Sequence, residues 1–350
     1  MSGTVRIGVA GCGGIARRVH LRLLPQLTST RIAALADHNP SNRAQAAAMA
    51  PGAAVFASVE EMLAKAEIDA VIVALPTFAH TDAAIAVLES GRHLYLESPL
   101  AGTLDEGRRI VDAWQRADRV GAIGLNSRFH PLLVEAKQAI DSAAIGDVVA
   151  ARIAFSSERG SRPAWAEDPA KGGGVLLDKA YHEVDVVRVL LGEIDDVFCV
   201  AADRGQRPAT VGIELRCRRG CLAQLSIGIG SVADARLDVY GTNGRLSFGR
   251  YESLRVAVDP SSAGGVGRRV RRGSAEIAGG VGYLARKLRS PGNDPSFGVA
   301  LERFVDAVQG SAEARAASPD LSEGLACLAV VDAARRSLEE GRLVTVERSW

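Results

Sequence analysis

The chain has 350 residues, 47% of them hydrophobic and 24% charged, a composition that suits a globular protein with apolar surface enough for two domains. Lys and Arg number 42 against 41 Asp and Glu, a net charge of +1, so no general field draws it to nucleic acid or to an anionic membrane. Its longest apolar runs, such as Ile68 to Pro76, are far below the roughly 18 residues of a membrane span, and no signal peptide is expected ahead of Val5, which makes the cytoplasm the expected address.

The first third alternates strand and helix patterns. Val5 to Ala10 reads as a strand, Ile15 to Leu27 as a helix and Arg31 to Ala36 as a strand. Asn42 to Ala50 and Val59 to Ala66 read as helices, Ala70 to Leu75 as a buried strand, and Thr81 to Ser90 as a helix. His93 to Leu96, Leu104 to Ala117 and Ala122 to Leu125 then follow as strand, helix and strand. Apolar strand runs separated by helices imply a parallel sheet covered on both faces, a doubly wound Rossmann-type α/β domain over residues 1–126.

Gly11-Cys12-Gly13-Gly14-Ile15-Ala16 is a G-x-G-x-x-A run between the first strand and the first helix. The first glycine permits the tight turn, the second lets the backbone approach a pyrophosphate, and the small Ala16 allows close helix–strand packing. Gly11, Gly13, Gly14, Ile15 and Ala16 are therefore candidate cofactor contacts, with phosphates at the positive helix N-terminus. Asp37 ends the second strand about 20 residues on, where a carboxylate accepts hydrogen bonds from ribose hydroxyls and repels a 2′-phosphate. His38, Asn39 and Pro40 follow it, with no Arg or Lys at once, so NAD is expected rather than NADP, and His38 joins the candidate cofactor residues.

Residues 127–350 have another rhythm. Val148 to Ser156, Asp196 to Ala202, Thr210 to Arg216, Leu222 to Ile229, Ala235 to Tyr240, Arg245 to Phe248 and Leu254 to Val258 read as strands joined by short turns, which favours a large, mostly antiparallel open sheet in an α+β domain. Leu132 to Ile140, Val175 to Leu191, Phe297 to Val308 and Leu321 to Glu340 read as flanking helices. The Gly-, Ser- and Arg-rich stretch near 260–295 is expected to be a long mobile loop, its basic run (Arg268, Arg269, Arg271, Arg272) a solvated surface. A broad sheet of this kind leaves one face open, so a homodimer or homotetramer packed through it is expected. Of the five cysteines, Cys12, Cys199, Cys217, Cys221 and Cys327, only Cys217 and Cys221 are close, across what reads as a hairpin turn. A metal site would need two more ligands and no His lies nearby, so no metal is expected and the set reads as reduced structural thiols.

Several segments together resemble the glucose-fructose oxidoreductase / inositol dehydrogenase / rhizopine-catabolism family, Gfo/Idh/MocA. Ile68 to Pro76 and on to His80 is similar to that family's cofactor-lining strand and loop, and Gly91 to Leu100 to a segment that normally ends in E-K-P-L. Arg128-Phe129-His130-Pro131 resembles its interdomain crossover, and Leu321 to Arg342 its last helix. Gly172-Gly173-Gly174-Val175-Leu176-Leu177-Asp178 with His182-Glu183-Val184-Asp185 resembles the D-x-x-x-H active-site helix, most of all the inositol dehydrogenase version.

The resemblance implies that Leu75, Pro76, Thr77, His80, Glu97, Ser98 and Arg128 line the cofactor. It implies an NAD-dependent oxidoreductase moving a hydride to or from a hydroxyl or keto carbon of a sugar, cyclitol or related polyol. His182 would be the acid/base and Asp178 would orient the substrate hydroxyl. Their spacing of four shares a helix face, and a histidine near its usual ~6.5 suits proton exchange at neutral pH. One position departs: where the family motif carries its catalytic lysine, this chain has Ser98, which offers a hydrogen bond without charge. Lys179, beside Asp178 and also four residues from Glu183, and Tyr181 are candidates to compensate. Two other readings stay open: a redox-neutral enzyme that uses tightly held NAD transiently in elimination or glycoside cleavage, and a non-catalytic dinucleotide-sensing regulator. Trp165 is a candidate to stack a sugar ring, and Arg128, Arg152, Arg159 and Arg162 are candidates to meet an anionic substrate.

Overall fold

A computed structural model describes residues 3–158, 164–168, 171, 173–202, 209–260, 283–284, 287–288, 290 and 294–348. Strands β1 (Val5–Ala10), β2 (Thr30–Ala36), β3 (Ala54–Phe56), β4 (Ala70–Val73), β5 (His93–Leu96) and β6 (Gly121–Ile123) form one sheet in the order β3-β2-β1-β4-β5-β6, every pair parallel. The order reverses direction at β1/β4, the crevice at the strand C-termini where such sheets hold ligands. All four residues of β4 are buried, as a central strand covered on both faces requires. The sheet is thus the Rossmann arrangement expected, with β3 an additional strand and β6 ending two residues before the expected Leu125.

The first helix, α1, opens with a π-turn at Ala16–His20, continues through Leu21–Leu23 and closes as a 3-10 turn at Leu24–Gln26. Helices α2 (Pro40–Met49), α3 (Val59–Lys65), α4 (His80–Glu89) and α5 (Leu104–Ala117) complete the wrapping. Local chemistry sets their ends: Asn39 accepts from the Ser41 and Asn42 amides at the start of α2, and Thr103 with Glu106 forms a reciprocal capping box on α5.

A short 3-10 turn at Asn126–Phe129 leads into α6 (Pro131–Asp141) and a second sheet. It comprises β7 (Val148–Ser157), β8 (Ile194–Ala201), β9 (Thr210–Cys217), β10 (Leu222–Ile229), β11 (Asp234–Gly241), β12 (Gly244–Gly249), β13 (Ala257–Pro260) and β14 (Val344–Thr345), in the order β13-β12-β11-β7-β10-β9-β8-β14. Among the described residues only the β7/β10 pair of this sheet is parallel. The last expected strand, Leu254 to Val258, forms instead over β13. Between β7 and β8 run a 3-10 turn (Ala164–Glu167) and helix α7, which begins as a second π-turn at Leu176–Ala180 and continues over Tyr181–Leu191.

Helices α8 (Ser296–Val308), α9 (Ala312–Ala317) and α10 (Leu321–Glu340) precede β14. Leu301, Phe304 and Val305 of α8 return to the first sheet, packing with Ile7, Val9, Ile72 and Tyr95. Helix α10 spans both sheets: Leu321, Leu325 and Leu328 join the same core as Ile110 of α5, Val184 of α7 and Leu215 of β9. Among the described residues no element covers the other face of the second sheet, which carries a ladder in which Arg152 donates to Gln224 (3.1 Å) and Gln224 to Glu214 (2.8 Å). No helix among the described residues is long and apolar enough to cross a membrane. The 260–295 stretch, with its arginines, lies largely outside the described residues, as do Arg159, Arg162 and Gly172.

Candidate active site

The glycine turn after β1 fits a dinucleotide. Gly11 has φ +91°, and a Cβ there would lie 2.5 Å from the Ala74 carbonyl oxygen, so only glycine lets the turn press against the end of β4. A Cβ on Gly13 would meet nothing within 4 Å, so space is open above the turn. Asp37 is buried beside it: one carboxylate oxygen accepts from the Cys12 amide (2.8 Å) and the Asn42 side chain (3.2 Å), the other from the Asn39 amide (2.7 Å). His38 is exposed, its Nδ1 3.7 Å from Asp37. Two arginines not singled out in the sequence gather here. Arg17 donates to the Cys12 carbonyl (2.6 Å) and Asn42 (2.9 Å), and Arg43 to the Asp37 carbonyl (2.7 Å). Both are pinned to protein acceptors.

Two further loops close the crevice at the ends of β4 and β5. His80 is fully buried, with Nδ1 2.8 Å from the Pro99 carbonyl oxygen and Nε2 2.9 Å from that of Leu75. A neutral ring donates through only one of its nitrogens, and burial pushes the His80 pKa down. His80 therefore donates to one of these carbonyls and packs between the Leu75-Pro76-Thr77 loop and the loop beyond Ser98; both ring nitrogens face backbone oxygens, unlike the cofactor contact expected. Glu97 meets His20 of α1 at 2.7 Å, and His20 is wholly buried. A Cβ on Gly124 would come within 2.9 Å of the Glu97 carboxylate, so the glycine after β6 makes room for that side chain. The Ser98–Pro99 peptide bond is cis.

Helix α7 faces these loops. Ser98 Oγ lies 3.3 Å from His182 Nε2, joining residues 84 positions apart. Lys179 Nζ stands 3.3 Å from Asp178 Oδ2 and 6.0 Å from the centroid of the Phe155 ring. Burial first, then the positive charge of Lys179, depress the His182 pKa, against the opposing pull of Asp178. The ring is thereby held neutral at physiological pH, able to take a proton. Ser98, Asp178, Lys179 and His182 thus come together, with Asp178 and Lys179 on a π-turn of the kind that recurs at functional sites. Gly173 allows the approach of the Trp165 segment: a Cβ there would lie 2.5 Å from the Ala166 carbonyl oxygen, and the Gly174 amide donates to that same oxygen (3.1 Å).

Other candidates sit behind the site. Tyr181 is completely buried, its hydroxyl donating to the Gly324 carbonyl (2.8 Å) and accepting from the Leu100 amide (3.2 Å). It packs α7 against α10 and the Ser98 loop, so it is not a proton donor to substrate. Arg128 is also reassigned. It makes a bidentate contact with Asp185, Nη2 to Oδ1 (2.6 Å) and Nε to Oδ2 (3.1 Å), and a second with Glu323 (2.6 Å), anchoring the crossover to α7 and α10 rather than facing a cofactor. Arg188 extends the cluster to Glu323 (3.0 Å) and Glu193 (2.7 Å). Glu183 does not pair with Lys179; it holds Arg250, just past β12, through two hydrogen bonds of 2.9 and 2.7 Å with both side chains buried. Such long-range partners carry no local sequence signal. Among the described residues no group of three or more His, Cys, Asp or Glu is placed to hold a metal ion.

Residues 5–159 match the oxidoreductase family with an NAD-binding Rossmann fold, and residues 133–247 the GFO/IDH/MocA C-terminal domain. An inositol 2-dehydrogenase 2 of Saccharopolyspora erythraea is 30% identical over 72% of this chain and 77% of its own. The chain belongs to the Gfo/Idh/MocA oxidoreductase family. Inositol 2-dehydrogenase of Rhizobium meliloti is 29% identical over 98% of this chain and 99% of its own length. Among solved structures, the WlbA dehydrogenase of Bordetella pertussis, in complex with NADH and UDP-GlcNAcA, superposes with a TM-score of 0.82 at 23% identity, covering 100% of this chain and 99% of that one. At that identity the likeness speaks for the fold. As a member of this family the chain is a nicotinamide-dependent oxidoreductase acting on CH–OH.

Proposed function

We propose that the chain is an NAD-dependent dehydrogenase of a cyclitol or closely related polyol, with His182 as the acid/base. The observation that carries this reading is the meeting of Ser98, on the loop after β5, with His182, on α7, at 3.3 Å beside Asp178 and Lys179. The inositol dehydrogenases among the relatives support the substrate class. The Gly11–Ala16 turn would hold the pyrophosphate, Asp37 the adenosine ribose, and the Leu75–Thr77 and Glu97–Ser98 loops the nicotinamide end. When bound, the nicotinamide supplies the hydride acceptor.

The residues of the chain do the remaining work. Neutral His182 takes the proton of the substrate hydroxyl at Nε2 as the alcohol is oxidised. Ser98 holds the reacting oxygen by hydrogen bond, and Asp178 accepts from a neighbouring hydroxyl. Ser98 stands where the family motif has lysine, so the loop brings no charge; Lys179 supplies the cation from the helix. Asp37 favours NAD, because a 2′-phosphate would meet its buried carboxylate. The outer face of the second sheet, where Val200 and Leu222 are half exposed, is the proposed seam of a homodimer or homotetramer, checked by gel filtration at micromolar concentration. The experiment that tests the central assignment is His182→Ala. Turnover should fall by about 10²–10⁴-fold while NAD affinity is kept; a variant as active as the natural protein removes His182 from the mechanism.

A further inference from the structure

A pair of cysteines lies in the second sheet, outside the proposed active site. In the β9–β10 hairpin Arg216 pairs with Leu222, so the next rung sets Cys217 opposite Cys221. The Cys217 amide donates to the Cys221 carbonyl (2.9 Å), and the Gly220 amide turns back to the Cys217 carbonyl (3.0 Å), with Gly220 at φ +86°. Opposed residues of an antiparallel pair have Cα atoms about 4.5–5.5 Å apart, inside the ~4.4–6.8 Å that a disulfide spans. Both thiols are free and buried at the edge of the core, and the exposed turn Arg218-Arg219-Gly220 joins them.

The two thiols also hydrogen-bond each other. Cys217 keeps its proton and Cys221, as acceptor and beside Arg219, is drawn toward the thiolate. The other cysteines are the opposite case. Burial raises Cys12 and Cys327 to about 12 and Cys199 to about 11, which leaves them inert. The turn is fastened to the end of the active-site helix, since the Arg218 amide donates to the Glu193 carbonyl (2.7 Å) and Arg219 packs over Gly192.

We propose that Cys221 and Cys217 form a peroxide-oxidisable dithiol, Cys221 the attacking thiol and Cys217 the resolving one. The Cys221 thiolate attacks one oxygen of hydrogen peroxide and breaks the O–O bond, giving a sulfenic acid and, with one proton, water. The Cys217 sulfur then displaces the sulfenic hydroxyl; the S–S bond forms, the S–O bond breaks, and the thiol proton leaves with hydroxyl as a second water. Two thiols are oxidised and one peroxide is reduced to two waters. Access comes from local opening of the short turn.

The test uses the full-length protein treated with hydrogen peroxide at neutral pH and read by intact mass and peptide mapping. The natural protein should lose two hydrogens, with the link mapped to Cys217–Cys221 and reversed by dithiothreitol. Cys217→Ser should stop at the sulfenic acid, trapped on Cys221 by dimedone, and Cys221→Ser should give neither product. Far-UV circular dichroism selects folded variants, and the natural protein needs no substitution to be read. No linked peptide in the natural protein, or dimedone labelling spread equally over the other cysteines, would overturn the proposal.

Discussion

Replacing Glu183 by alanine leaves the Arg250 guanidinium buried without its carboxylate. The pair is bidentate at 2.9 and 2.7 Å, with side chains 1% and 6% exposed, and Arg250 Nε already has no partner. Removing one member of a buried ion pair costs about 3–5 kcal/mol, most of it the uncompensated charge. At a urea slope of about 3 kcal/mol per molar, the midpoint should fall by roughly 1–1.7 M. The exposed i,i+4 pair Lys65–Glu61 is the control: Glu61→Ala should cost no more than about 0.5 kcal/mol. The double variant Glu183→Leu with Arg250→Met should recover most of the loss, because the cost lies in the stranded charge and not in a missing attraction. The assay is equilibrium unfolding in urea followed by fluorescence and circular dichroism. A midpoint shift for Glu183→Ala below about 0.3 M, or a double variant as unstable as the single one, would refute the reasoning. This pair matters to the site because it pins the residue after His182 to the second sheet.

Three further outcomes follow from the geometry. Asp37→Ala removes the carboxylate next to the glycine turn and leaves Arg17 and Arg43 beside it, so NAD binding should weaken and relative use of NADP improve; unchanged cofactor selectivity in steady-state kinetics counts against the ribose assignment. Burial and Lys179 hold the His182 pKa down, so the rate of alcohol oxidation should rise with pH through an inflection below the ordinary ~6.5 and be flat above it. Lys179→Met removes a positive charge that opposes protonation, and so should move that inflection upward; an unmoved or lowered inflection in kcat/KM would show that Lys179 does not act on His182.

The sheets were readable from the chain because burial on one face or both leaves a period. The all-apolar Ala70–Val73 and the alternating Thr210–Cys217 are examples. Short edge elements were not: Ala54–Phe56 and Val344–Thr345 are too brief to show alternation, and the Ala-rich α9 has no apolar stripe. The π-turns that open α1 and α7 sit in ordinary helical patterns and have no signature of their own. At the site, motif spacing pointed to the glycine turn and Asp37, and the family resemblance to Asp178 and His182; the structure sets Asp37 beside the turn and His182 beside Ser98. Arg128 and Tyr181 were misread because their partners lie far off in sequence: Asp185 and Glu323 for the first, Gly324 for the second. Polar side chains near a site do not reveal, from sequence, whether the protein itself already satisfies them.

The most direct test of the central claim is the near-UV absorbance of reduced nicotinamide when the purified natural protein is mixed with NAD and a panel of cyclitols and sugars. Absorbance should grow with at least one inositol isomer, despite serine at position 98. No reduction with any member of the panel by a protein that binds NAD would contradict a net dehydrogenase, and appearance of activity only in Ser98→Lys would show that Lys179 does not replace the loop lysine.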